Sequence, residues 1–279
     1  MHNIGLFYNP RLLDALPLAQ EIAAWLQERA VATWRYSTHD APPAASLPQT
    51  DLLITLGGDG TILRAMSFAA PLGLPVLGLN LGRVGFLTAC APQSWPQSLE
   101  KILAGQGQVE ERTMLQVTLL RGTQTLLQDS ALNDVVISRG ALARVARLLV
   151  RVDGALLTQY VADGLILATA TGSTAYSYAV GGPILPPWLE NILLTPVAAH
   201  LCLERPLVLD AEAVVEITVQ MGIPGMLTVD GRVARELLAG DRVRVQRSSL
   251  KARFLRLSGR ADFYRTLAAR LTPRNGSES

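Results

Sequence analysis

Cysteine is nearly absent. Cys90 and Cys202 are the only two in the chain, too few for a disulfide framework or for the ligands of a structural zinc. Charge is also sparse: Asp, Glu, Lys and Arg make up 17% of residues and the net charge is +2, so the balance does not call for nucleic acid as a partner. No run approaches the roughly 20 unbroken apolar residues of a membrane-spanning helix, and Met1-His2-Asn3-Ile4-Gly5 lacks the basic and then apolar stretches of a signal peptide. No segment repeats at a fixed period. These gaps lead to the expectation of a soluble cytoplasmic protein without a membrane partner. With 49% hydrophobic residues over 279 positions, it can bury a sizeable core in one large domain or two ordinary ones.

Against those absences stands one glycine-dense stretch, Thr55-Leu56-Gly57-Gly58-Asp59-Gly60-Thr61, between the apolar run Leu52-Leu53-Ile54 and a helix-like run from Ile62 to Phe68. Three glycines and a carboxylate at the carboxyl end of a buried strand suit a phosphate-handling turn. Glycine lets a phosphate approach the amides, and the following helix offers free N–H groups and the positive end of its dipole. The competing reading is a plain strand–turn–helix in which Asp59 only caps the helix.

The first part of the chain alternates strand and helix patterns. Strands are expected over 4–8, 31–36, 52–56 and 75–80, with a helix over 12–27, a proline-rich loop over 41–48 and a short amphipathic helix over 96–103. This is the pattern of parallel βαβ units, whose ligand crevice lies at the carboxyl ends of the strands, where Asn9, Gly57 to Thr61 and Asn80 fall. After Gly105-Gln106-Gly107 helical periodicity nearly disappears. Strand-length runs follow at 113–120, 126–127, 133–138, 147–152, 156–160, 164–169, 213–219, 226–229, 242–246 and 251–257. Helix is expected only at 174–180 and 263–271. Asp153-Gly154 and Asp230-Gly231 each stand between two such runs, the strongest short hairpin signal. The chain therefore reads as an α/β domain with parallel βαβ units over 1–105, a β-rich, sandwich-like domain over 106–258, a last helix that could pack back on the first domain, and a polar tail over 272–279.

Two segments of the second domain carry more polar residues than a core requires. Asn133-Asp134 interrupts an apolar run with donors and acceptors suited to sugar hydroxyls or an adenine edge, though a turn before a strand would account for the pair as well. Thr169-Ala170-Thr171-Gly172-Ser173-Thr174-Ala175-Tyr176 gathers four hydroxyls, a glycine and a tyrosine at a strand-to-helix junction, ahead of Gly181-Gly182-Pro183. Capping accounts for one of those hydroxyls and not for four. Free helix-start amides with Ser and Thr hydroxyls would bind a nucleotide or phosphate.

Gly57-Gly58-Asp59-Gly60-Thr61, Gly82-Arg83-Val84-Gly85-Phe86-Leu87, Asn133-Asp134, Asp163-Gly164, Thr171-Gly172-Ser173-Thr174-Ala175-Tyr176 and Gly181-Gly182-Pro183 occur in the order seen in NAD kinases, and the chain resembles that family from about residue 4 to residue 257. The Gly-Gly-Asp-Gly-Thr turn alone is shared with diacylglycerol and sphingosine kinases; the Thr-Gly-Ser-Thr-Ala-Tyr block is the specific one. The resemblance implies an α/β domain followed by a β-rich domain, with the active site between them, in a homo-oligomer (dimer or tetramer). It implies transfer of a phosphoryl group from ATP, or from polyphosphate, to the 2′-hydroxyl of the adenosine ribose of NAD, with Mg²⁺ as the divalent metal. Asp59 would be the base for that hydroxyl, and Gly57, Gly58, Gly60 and Thr61 would cradle phosphates. Asn133 and Asp134 would hold the ribose and adenine, and Asp163, Thr171, Thr174, Ala175, Tyr176, Ser177 and Ala179 would line the rest of the dinucleotide site. Arg64 and Arg144 match positions that are often basic and would meet the pyrophosphate. The chain departs from the family's usual residues at Asp134 (Glu), Val161 (basic), Ala170 (Pro), Ala179 (Ser) and Arg232 (an amide), none of which touches Asp59. The other readings are a lipid kinase, which the Thr-Gly-Ser-Thr-Ala-Tyr block opposes, and a non-catalytic NAD-binding regulator, which would have no use for Asp59.

Overall fold

The computed structural model describes residues 1–40, 47–82, 85–140, 145–200, 203–220 and 224–271. The chain divides into two compact units, one formed by Met1–Glu111 with the chain from Ala252 on, the other by Arg112–Lys251. The division falls inside a long strand rather than at the glycines near 105, because β pairing runs through that point.

The first unit is an α/β layer structure. Its elements are β1 (Asn3–Tyr8), α1 (Ala15–Gln27), β2 (Ala32–Ser37), β3 (Leu52–Gly57), α2 (Asp59–Ala69), β4 (Val76–Asn80) and α3 (Trp95–Leu103). The strands lie in the order β2-β1-β3-β4, all parallel. Every residue of β3 is buried, as expected of a central strand covered on both faces. α1 buries Ala15, Ala19, Ile22, Ala23 and Leu26, one stripe at helical spacing that packs with Ile4, Leu6, Leu52, Ile54 and Leu56. It begins at Ala15 rather than at 12, because turns hold the preceding residues: the Arg11 amide donates to Asn9 Oδ1 and the Leu12 amide to the Asn9 carbonyl.

The second unit packs two antiparallel sheets around one core. Its elements are β5 (Gln108–Arg121, whose first residues belong to the first unit), β6 (Gln124–Ala131), β7 (Asp134–Arg139), β8 (Ala146–Val152), β9 (Ala155–Ala162), β10 (Gly164–Ala168), α4 (Tyr176–Ala179), β11 (Ile192–Val197), β12 (Leu207–Leu209), β13 (Val215–Val219), β14 (Gly225–Val229), β15 (Arg232–Leu237) and β16 (Arg242–Arg256). One sheet runs β12-β11-β10-β7-β14-β15; the other joins β16, β13, β8 and β9, with β5 pairing β16 and β6 pairing β5. Inward residues of both, among them Val117, Val135, Ile137, Val150, Leu165, Leu194, Ile217, Leu227 and Val243, form a single apolar cluster, the layout of a sandwich. From Ala252 on, β16 belongs to the first unit, where Phe254 pairs in parallel with Val76 of β4. α5 (Ala261–Leu271) follows it in that unit.

The differences from expectation have local causes. The runs at 242–246 and 251–257 are one strand, β16, which continues through Arg247 and Ser248. β11 contains Pro196, which breaks the sequence pattern of a strand. β15 is an edge strand with mostly exposed residues and shows no apolar run. The helix expected over 174–180 is a 3-10 turn, Gly172–Thr174, followed by the single turn α4, because Ala175 between them leaves helical geometry at φ −104°, ψ −126°.

Candidate active site

The strand order of the first unit dictates where a ligand binds. The connection leaving β1 runs to β2 on one side and the connection leaving β3 runs to β4 on the other, so the two diverge and a crevice opens outside the carboxyl ends of β1 and β3. A cavity of about 300 Å³ lies there, lined by Asn9 and Arg11 after β1, Thr38 and His39 after β2, and Gly58, Gly60, Thr61 and Arg64 after β3. A Cβ built on Gly58 or Gly60 would meet nothing within 4 Å, so both backbones face open space at the start of α2. Arg11, His39 and Arg64 bring positive charge or hydrogen-bond donors, and among the described residues the lining holds no carboxylate. Such a pocket suits a chain of phosphates. Sequence reading picked out Asn9, Gly58, Gly60, Thr61 and Arg64 and missed Arg11, Thr38 and His39. The signal available for those three was their place directly after β1 and β2.

Asp59 is the first residue of α2 and half-buried. Its two carboxylate oxygens accept separate backbone amides: Oδ2 from Phe86 at 2.9 Å and Oδ1 from Leu87 at 3.1 Å. A Cβ at Gly85 would stand 2.0 Å from Oδ1 and 2.7 Å from the carboxyl carbon, so only glycine permits this approach. The stretch from Gly82 to Leu87, which reads in sequence as a loop with two glycines, is thereby the holder of Asp59. Its Arg83 and Val84 lie outside the described residues. A carboxylate has about four lone-pair positions, so two amides leave capacity for a hydroxyl proton. Gly57, the last residue of β3, is buried and pairs with Asn80.

In the second unit, the turn Leu132-Asn133-Asp134 enters β7 with every backbone group engaged. The amides of Leu132, Asn133 and Asp134 all donate to the Asp230 carboxylate, at 2.9, 2.7 and 3.2 Å. The Leu132 carbonyl accepts from Thr169 Oγ1 at 2.6 Å, the Asn133 carbonyl from the Thr169 amide at 2.9 Å, and the Asp134 carbonyl from the Asp230 amide at 2.9 Å. Gly172 presses on the same turn: a Cβ there would stand 2.0 Å from the Asn133 carbonyl oxygen. Beside it, Asn133 Oδ1 and Thr171 Oγ1 are buried without a hydrogen-bond partner among the described residues. Orphaned buried acceptors of this kind cost about 1–3 kcal/mol each, which a ligand bearing donors would relieve. Burial, with the Asp230 charge adding to it, pushes the Asp134 carboxyl up to about 7. Burial also raises Asp230, against the three amides that pull it down.

The other hydroxyls of the block have structural partners. Ser173 Oγ donates to the Ala170 carbonyl at 2.7 Å and accepts the Leu185 amide at 2.9 Å, and Thr174 Oγ1 donates to the Thr171 carbonyl at 3.3 Å. Ser177, expected at the dinucleotide, is fully buried, with its hydroxyl 2.8 Å from that of Thr195. Ala175 is half-buried, and Tyr176 and Ala179 are exposed. Asp163 precedes β10, whereas Asp134 pairs with Ala168 at its far end; the five residue steps from Asp163 to Ala168 put about 17 Å of strand between them. Asp163 instead pairs with Arg139 at 3.1 Å. Arg232 lies 3.5 Å from Asp129. Arg144 falls outside the described residues.

Comparison with known proteins agrees with this layout. Residues 30–107 match the ATP-NAD kinase N-terminal domain and residues 132–257 the ATP-NAD kinase C-terminal domain. The chain is 41% identical over 272 residues to the NAD kinase of Chloroflexus aurantiacus, covering 97% of this chain and 99% of that one. It is 40% identical over 276 residues to the NAD kinase of Dehalococcoides mccartyi, covering 98% and 97%. Among solved structures it is similar to yeast NADH kinase complexed with NADH, at a TM-score of 0.86 and 27% identity over 100% of this chain and 89% of that one. It is also similar to an NAD kinase from Archaeoglobus fulgidus in complex with ATP, at a TM-score of 0.78 and 25% identity over 96% and 99%.

Proposed function

The chain belongs to the NAD kinase family, enzymes that phosphorylate NAD to NADP, and we propose that here Asp59 accepts the proton of the NAD 2′-hydroxyl while the cavity beside it holds the phosphoryl donor. The observation that carries this reading is the Asp59 carboxylate, fixed by the Phe86 and Leu87 amides next to an open, cation-lined pocket. Phosphoryl transfer demands little covalent help from a protein; positioning and charge stabilisation do most of the work. As the 2′-oxygen bonds to the γ-phosphorus, its proton passes to Asp59 and the bond from the γ-phosphorus to the β–γ bridging oxygen breaks, leaving ADP. The amides at Gly58 and Gly60 with Arg11 and Arg64 face the charge that builds on the phosphates.

In the second unit, Asn133 and Thr171 offer their unpartnered oxygens to donors on the dinucleotide. Asp134 stands beside them, with Thr174, Ala175, Tyr176 and Ala179 completing that surface. Ser177 supports it from below through Thr195. Asp163 and Arg144 remain candidates for the other end of the dinucleotide.

The divalent metal in this reading is Mg²⁺. Among the described residues no group of three or more His, Cys, Asp or Glu could hold a metal. In this reading the metal would be bound chiefly by the donor's phosphates and water. When bound it neutralises phosphate charge. The reading includes a homo-oligomer, as the resemblance to the family implies, and a cytoplasmic setting, with which the free thiol of Cys90 is consistent.

The test is NADP formation by the purified full chain with NAD and Mg²⁺, once with ATP and once with polyphosphate. NADP is expected with at least one donor. Its absence with both would overturn the reading.

A further inference from the structure

The Asp230-Gly231 turn does more than reverse the chain between β14 and β15. Both residues have positive φ, 48° and 71°, the geometry of a two-residue hairpin turn. The chain has a second turn of the same letters, Asp153-Gly154, with φ 51° and 81° between β8 and β9. In each, the Asp amide donates to a carbonyl on a neighbouring segment and the Asp carboxylate accepts an amide from the same residue: Val214 for Asp153, Asp134 for Asp230. Asp153 stops there. Asp230 also takes the amides of Leu132 and Asn133. Three successive amides converging on one carboxylate is an arrangement that hairpin formation does not need.

We infer that Asp230 is a positioning residue for dinucleotide binding: its carboxylate gathers the amides of Leu132, Asn133 and Asp134 and so aims the Asn133 side chain at the substrate. The inference rests on the reading that Asn133 and Asp134 bind NAD. Asp230 donates and accepts four of the hydrogen bonds that fix this turn, and Thr169 supplies the other two. With the backbone so held, the buried Oδ1 of Asn133 is the acceptor left over. An acceptor fixed in advance binds its donor without an ordering cost at the moment of association. The carboxylate touches no reacting atom, so its removal affects how tightly NAD is held rather than the chemical step.

Two substitutions separate this role from that of a hairpin residue. Asp230→Asn keeps the tolerance for positive φ but sets an NH₂ group against the amides. Asp230→Gly keeps the turn and removes the carboxylate altogether. Steady-state kinetics of the full chain should show KM for NAD raised about 10-fold or more in both, with kcat and KM for ATP within about threefold of the parent. Asp153→Asn, at the matching turn, should leave all three constants unchanged. If both Asp230 variants keep the parental KM for NAD, whether or not their Tm falls, the carboxylate is scaffold only and the inference is overturned. Asn133→Ala separates the two layers of the argument. A raised KM for NAD in Asn133→Ala with none in the Asp230 variants overturns the inference alone. No change in Asn133→Ala removes the turn from the NAD site, and the inference with it.

Discussion

Each unit contains a carboxylate that receives backbone amides from a neighbouring loop, and the two arrangements run in opposite senses. On the proposed reading, Asp59 in the first is the working group, and the amides of Phe86 and Leu87 hold it. In the second, Asp230 is the holder, and the working groups stand on the loop whose amides it gathers. The surroundings decide which is which. Asp59 stands between Gly58 and Gly60, which present bare backbone to a cavity, whereas Asp230 closes onto a turn whose own side chain, Asn133, carries the orphaned acceptor. On the proposed reading, the same kind of hydrogen bond serves catalysis in one place and recognition in the other.

The largest expected effect breaks the first arrangement at its centre. Asp59→Asn should lower kcat on the order of 10²-fold or more, the usual scale for losing a general base, while NAD still binds, as isothermal titration would show. Turnover near the parental rate would remove Asp59 from that role. Gly85→Ala strikes the same carboxylate from behind. The new methyl group would overlap Oδ1, so the carboxylate must leave the Phe86 and Leu87 amides, and kcat should fall by about 10-fold or more. A parental kcat in that variant would show that the clasp is not needed.

The legibility of the chain followed the same division. Parallel βαβ units in the first half read directly from buried strands such as 52–56 and the stripe of α1, and the Gly57–Thr61 turn announced itself by composition. The clasp on Asp59 did not, because its donors are main-chain amides and any loop has those; only Gly85 carried a trace of it. Arg11, Thr38 and His39 were hidden because two separate connections bring them to one crevice, and pattern within a segment says nothing about that. In the second unit, Asp230-Gly231 was readable as a hairpin, but its reach to Leu132–Asp134 spans about a hundred residues of sequence and depends on β14 pairing with β7. Pro196 in β11 and the exposed residues of β15 concealed those strands. Ser177 looked like a ligand residue because a hydroxyl facing Thr195 and one facing a nucleotide have the same letter.

Smaller effects sharpen the contrast. Arg11→Ala and Arg64→Ala should each raise KM for ATP by about 3- to 10-fold, as expected for partly solvated charged contacts, with KM for NAD changed less. The reverse pattern would place the donor elsewhere. Asp134 provides a pH test in the second unit. Its carboxyl is raised from 3.8 to about 7 in the folded protein, so the native state binds its proton more tightly than the unfolded chain does. That contribution to stability is present at low pH and is lost as pH rises from about 4 to about 7. Asp134→Asn removes the penalty, and thermal melts should show the variant's Tm gaining on the parent's more at pH 8 than at pH 5. A gap independent of pH would contradict the raised pKa.

The opposite senses of the two clasps meet in one experiment: kcat and KM for NAD measured side by side in Gly85→Ala and Asp230→Asn under the same assay. Gly85→Ala should lose kcat with KM for NAD nearly unchanged, and Asp230→Asn should lose affinity for NAD with kcat nearly unchanged. Equal losses in the same constant, or the two patterns exchanged, would contradict the account.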